Sequence, residues 1–131
     1  MRRALASAAT LAGLAFAFAL AAGASGSAGR PPTAVGVGER EWRIALYRSQ
    51  VPVGRVRLNV RNFGEDGHDL AVRNRRGKLL GALPEIEPAS TGRLTVRLRR
   101  PGRYTVFCSL EGHEELGMRA VLRAKRAERG R

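Results

Sequence analysis

Between Trp42 and Lys125, apolar and polar residues alternate with period two in short runs, each cut off by Gly, Pro, Asn or Asp. That period turns one face of an extended strand toward a core and the other toward water, so the runs predict strands joined by turns. Trp42, Ile44 and Leu46 alternate with Arg43, Ala45 and Tyr47, and Val56, Leu58 and Val60 with Arg57, Asn59 and Arg61. After the turn Asn62-Phe63-Gly64-Glu65-Asp66-Gly67, the residues His68, Leu70 and Val72 alternate with Asp69, Ala71 and Arg73. Leu94, Val96 and Leu98 repeat the pattern, and Pro101-Gly102 turns the chain into Tyr104, Val106 and Cys108. Met118, Ala120 and Leu122 then alternate with Arg119, Val121 and Arg123. About six or seven such strands, with no helical period among them, predict an all-β, Greek-key β-sandwich.

The flanks read differently. Arg2 and Arg3 precede an uncharged run rich in Ala and Leu from Ala4 to Ala22, the layout of a secretory signal. Ala22-Gly23-Ala24 offers a small-x-small cleavage site, so residues 1–24 are expected to be a signal peptide cut after Ala24. Left uncut, the same run would anchor the chain in a membrane. Either outcome places the protein outside the cytoplasm, in a periplasm or the extracellular space. Residues 25–38, rich in Gly, Ala and Pro, are expected to form a flexible lead, 39–125 the domain and 126–131 a basic tail. The stretch 74–91 has no clean period, carries Gly77, Gly81, Pro84 and Pro88, and is expected to cross between the two sheets.

Charge narrows the class of partner. Lys and Arg number 24 against 11 Asp and Glu, a formal charge of +13 in 131 residues. Such a surface attracts an acidic or membrane-bound partner. Nucleic acid is set aside, because the arginines are spread along alternating segments of an exported chain. The length after the leading segment suits one domain, expected to act as a monomer.

The candidate chemistry lies in a short inventory of two histidines, one cysteine and, after the initiator, one methionine. Cys108, His113 and Met118 form C-x4-H-x4-M, and His68 opens an earlier strand in phase with its apolar face. Two imidazoles and a thiolate suit copper in both oxidation states, with a thioether as a long, weak fourth contact. Zinc would call for a fuller set of strong donors. Singly, each residue has a plain structural use, a buried cysteine behaving as a small hydrophobe. An unpaired cysteine in an exported chain is unusual, however, and metal ligation explains it.

Tyr-Thr-Val-Phe-Cys-Ser-Leu-Glu-Gly-His-Glu-Glu-Leu-Gly-Met, from Tyr104 to Met118, resembles the ligand loop of the plastocyanin- and azurin-like cupredoxins, the blue type 1 copper proteins. Asn59 to Leu70 resembles the strand, turn and histidine segment of the same family. The likeness runs from Trp42 to Lys125 and implies one copper ion, with His68 as the buried ligand, Cys108 the thiolate, His113 the partly exposed electron port and Met118 the axial group. Asp69 departs from the Asn or Ser usual after the first histidine. Its amide is expected to reach the sulfur, and its carboxylate to accept hydrogen bonds from Ser109, favouring Cu(II). Leu110, Leu116 and Phe63, with Leu80 or Leu83, are expected to collar His113, and Glu111, Glu114 and Glu115 to be solvated loop carboxylates.

Three functions follow as expectations. The first is an electron carrier exchanging single electrons with a redox partner protein, not an enzyme, since four protein ligands leave no position for a substrate. The second is a copper carrier or buffer using the same ligands. The third is a structural sandwich with a vestigial copper site.

Overall fold

The computed structural model describes residues 29–128, so the expected signal segment and the end of the basic tail lie outside the described residues. Nine strands follow in order: β1 (Thr33–Arg40), β2 (Arg43–Leu46), β3 (Gln50–Pro52), β4 (Gly54–Asn62), β5 (His68–Arg73), β6 (Leu79–Ile86), β7 (Thr91–Leu98), β8 (Gly102–Phe107) and β9 (Arg119–Lys125). One sheet has the order β2-β1-β4-β7 and the other β3-β9-β8-β5-β6. β1 runs parallel to β4 and β3 parallel to β9, the remaining neighbours being antiparallel.

The alternating rows meet between the sheets. Val35 and Val37 of β1, Val56, Leu58 and Val60 of β4, and Leu94, Val96 and Leu98 of β7 share one buried cluster with Leu70, Val72, Val106 and Leu122 of the opposite sheet. Removing each such side chain from water contributes about 1.5–3 kcal/mol, which makes this double layer the main source of stability.

Four sequence expectations need correction or detail. The flexible lead ends before residue 33, because Val35 and Val37 enter the core and β1 pairs with both β2 and β4. Gly36 between them lets Tyr47 lie flat on the strand, since a Cβ there would sit 2.6 Å from the Tyr47 ring. Trp42 does not share the buried row of Ile44. It occupies the β1–β2 turn at φ 60°, 41% exposed. The stretch 74–91 holds β6, an edge strand exposed along much of both faces, which hides its period and tolerates Pro84. β5, expected to bury one face, is buried from His68 through Val72.

Glu39 continues the inward row of Val35 and Val37 and is fully buried. Neither of its carboxyl oxygens has a hydrogen-bond partner among the described residues. Burial, then the neighbouring Asp69 charge, pushes its pKa up to about 8. The folded chain therefore holds a proton that the unfolded chain releases above about pH 4.5, and stability falls as pH rises from there to about 8. Glu39→Met should remove that slope in the metal-free protein. The gap in unfolding free energy between variant and native chain should widen by on the order of a few kcal/mol between pH 4.5 and pH 8. Urea titrations across that range test this, and a gap independent of pH would contradict it.

Candidate metal centre

β5 begins at His68 and β8 leads into Cys108, and because the two strands are antiparallel, with Ala71 opposite Phe107, both residues arrive at the same end of the sandwich. From Cys108 the chain loops out and returns at Met118. The loop closes on itself: the Cys108 amide donates to the Met118 carbonyl at 3.0 Å, and the Met118 amide to the His113 carbonyl at 3.0 Å. Inside it, His113 N–H donates to Leu110 and Gly117 N–H to Glu114. Three of the four candidate ligands thus sit on one hydrogen-bonded frame.

The donor atoms of His68, Cys108 and His113 lie within 4.8 Å of one another. His68 Nδ1 is 3.3 Å from His113 Nδ1, and Cys108 Sγ is 3.5 Å from the same nitrogen. Donors bound at about 2.0–2.3 Å around one first-row ion would stand about 3.5 Å apart, so the spacing fits a single metal. His68, Cys108 and Met118 are fully buried, while His113 is half-buried. Two imidazoles, one thiol and a nearby thioether favour copper over zinc, which takes more strong donors. Burial pushes the Cys108 thiol up to about 11, against the lowering effect of hydrogen bonds from the Asp69 and Leu110 amides. An empty site therefore keeps the thiol protonated, and a bound cation would have to displace that proton.

Asp69 and Ser109 are brought together. The Ser109 amide donates to Asp69 Oδ1 and its hydroxyl to Oδ2. One turn of loop further on, Arg73 grips Glu114 with both terminal nitrogens, and its guanidinium lies 4.1 Å from the centre of the Phe107 ring. The loop is therefore tied to β5 near both ends of that strand, at Asp69 and at Arg73. Glu114 is not the solvated carboxylate expected from sequence: its bond to Arg73 lowers its pKa and raises that of Arg73. Glu111 and Glu115 are exposed.

Two residues not anticipated from sequence complete the site. Glu41 Oε1 accepts the Glu65 and Asp66 amides at 2.7 and 2.9 Å and lies 3.3 Å from His68 Nε2. Bonds from the Asp66 amide, its own amide, the Glu65 amide and the His68 ring hold this carboxyl down to about 2. An ionised carboxylate on Nε2 keeps the proton there, leaving the Nδ1 lone pair aimed at Cys108 and His113. Trp42, the next residue, meets the other ring edge-on, its centroid 5.0 Å from that of His113. The turn Glu41-Trp42 thus touches both histidines.

The residues expected to collar His113 take different places. Leu110 packs against the core and Leu116 is 57% exposed on the same loop. Phe63 lies over Gly38 between the guanidinium groups of Arg40 and Arg61. The ring against His113 is that of Trp42. Leu83 pairs with Leu70, and Leu80 lines a cleft beside the β7–β8 turn, at the other end of the sandwich.

No protein-family model matches the sequence, and no curated protein matches it. Solved structures do match in three dimensions. The Na-dithionite-reduced auracyanin of the photosynthetic bacterium Roseiflexus castenholzii is 16% identical and superimposes with a TM-score of 0.60 over 73% of this chain and 99% of its own. Auracyanin A, a "blue" copper protein of the green thermophilic photosynthetic bacterium Chloroflexus aurantiacus, is 14% identical with a TM-score of 0.58, covering 72% of this chain and all of its own. The chain has the cupredoxin fold of the blue copper proteins. That fold also occurs within larger enzymes: a copper-containing nitrite reductase of Thermus scotoductus SA-01 matches 74% of this chain, at 18% identity and a TM-score of 0.54, but only 32% of the enzyme.

In this cupredoxin fold the ligand loop reaches the β1–β2 turn through Gly117. It has φ 121°, and a Cβ there would lie 2.8 Å from the Trp42 carbonyl oxygen. Gly117→Ala should therefore displace Trp42 from His113 and cost on the order of 1–3 kcal/mol of stability in the metal-free protein. Denaturant titration and the fluorescence of the single tryptophan test this together. An unchanged midpoint with unchanged emission would contradict it.

Proposed function

We propose that this chain is an exported, mononuclear blue copper protein that carries single electrons between redox partners. The observation that carries the reading is the convergence of His68, Cys108 and His113 on one buried point, with Met118 hydrogen-bonded into the same loop. These three supply the strong donors and Met118 the weak axial contact. A bound copper ion supplies a one-electron couple, Cu(I)/Cu(II).

The protein's own part is to hold the donors. Glu41 fixes the orientation of His68, the closed loop fixes Cys108 and His113 relative to Met118, and burial excludes water. Donors held before the metal arrives need little rearrangement between oxidation states. His113, half-buried beside the exposed Trp42 and Leu116, gives the shortest path from the site to the surface, where a redox partner would dock. Both histidines of the chain belong to this one site, which leaves none for the second metal centre that substrate chemistry on this fold would require. Full burial of three of the four ligands also favours electron carriage over copper delivery, since metal exchange needs access. The charged-then-apolar leading segment supports a periplasmic or extracellular location.

Titrating the purified chain with Cu(II) should produce an intense blue colour that saturates at one copper per chain and is absent from Cys108→Ser. A colourless product, or colour retained in that variant, would contradict the reading. The Asp69 carboxylate, beside the cysteine loop, stabilises the more highly charged oxidation state. Asp69→Asn should therefore raise the reduction potential in cyclic voltammetry, and an unchanged or lower value would refute that electrostatic role.

A further inference from the structure

The far pole of the sandwich has the opposite electrostatic character from the metal end. Apart from Glu128 near the C-terminus, the acidic residues lie toward the ligand end: at the end of β1, in the β4–β5 turn, at the start of β5, at the end of β6 and in the ligand loop. Glu85 illustrates the grouping, its carboxylate packed against Gly67 beside His68. At the other end, where β5 finishes and β8 begins, a cleft of about 310 Å³ has no acidic residue in its lining. Arg75, Arg76 and Lys78 line it from the β5–β6 turn, Arg99 and Arg100 from the β7–β8 turn and Arg103 from the start of β8. Among the described residues the carboxylates in close contact with basic side chains are Glu41, on the His68 ring, and Glu114, on Arg73, so none of these six cations has an acidic partner there.

Both walls are fixed without a ligand. Asn74 Oδ1 accepts the Arg76 and Lys78 amides at 2.9 and 3.0 Å, shaping one turn. Tyr104 Oη donates to the Arg100 carbonyl at 2.8 Å, fixing the other. Clustered like charges around a concavity repel one another and focus the field onto whatever enters it. Guanidinium forks match the oxygens of a phosphate two at a time. We propose that this cleft binds phosphate-bearing anions, the phosphate coming either from a lipid headgroup or from a soluble polyphosphate. The inference is independent of the copper reading.

Calorimetric titration of the full chain with inorganic pyrophosphate, in about 0.15 M salt to screen diffuse attraction, tests it. The combined change Arg76→Gln, Arg100→Gln and Arg103→Gln should weaken binding at least tenfold. The combined change Arg43→Gln, Arg48→Gln and Arg123→Gln removes the same charge outside the cleft and should weaken it less than twofold. Should the cleft triple fail to fold, Arg76→Gln alone, at an exposed turn position, should still weaken binding several-fold. A second arm floats the chain with phosphatidylcholine vesicles containing phosphatidylglycerol. Capture that depends on the cleft arginines assigns the lipid phosphate, and pyrophosphate binding without capture assigns a soluble anion. Equal losses in both triples, or binding of neither probe, would overturn the proposal.

Discussion

A single backbone hydrogen bond, from the Cys108 amide to the Met118 carbonyl, closes the mouth of the loop on which three of the four donor residues stand. A second, from Met118 to His113, braces it from within. Because both ends of the loop continue into neighbouring strands, β8 and β9, the sandwich core holds the mouth in place. The site is therefore an extension of the sheet's own pairing. The remaining contacts tune where that loop sits: Asp69 and Arg73 of β5 hold Ser109 and Glu114, and the Trp42 carbonyl of the β1–β2 turn meets the loop at Gly117.

That turn links the two imidazoles. Glu41 holds the outer nitrogen of the buried one and Trp42 abuts the half-exposed one, so a shift in the turn is felt by both donors. The metal end also concentrates the chain's carboxyl groups, including the buried Glu39. A site that accumulates negative charge favours the higher oxidation state of a bound ion, while a neutral, protonated Glu39 limits how much of that charge lies inside the core. At the opposite pole the β5–β6 and β7–β8 turns line a cleft that contains no acidic residue, so charge is distributed unevenly along the sandwich.

The sandwich was legible because its core rows obey period two: Val56, Leu58 and Val60, and Leu94, Val96 and Leu98, read as strands and are strands. The three donors that converge were legible as well, because so few residues of their types exist in the chain. β1 is hidden in the sequence because its glycines suggest flexibility, although Val35 and Val37 keep the period. Gly36 is small there to admit the Tyr47 ring, a contact that composition does not reveal. β6 was hidden for the opposite reason, since an edge strand wet on both faces has little period to show. Glu41 and Trp42 could not be found by periodicity at all. Trp42 fell in phase with Ile44, and neither its positive φ nor the reach of Glu41 across 27 residues to His68 leaves a local mark. The one available signal was a charged and aromatic pair standing between two apolar rows.

Copper-edge X-ray absorption on the loaded protein, recorded in both oxidation states, tests the central claim that prearranged donors close on one ion. The account predicts two nitrogen neighbours and one short sulfur neighbour, nearly unchanged on reduction. A shell without sulfur, or one that loses a nitrogen or gains oxygens when the copper is reduced, would contradict it.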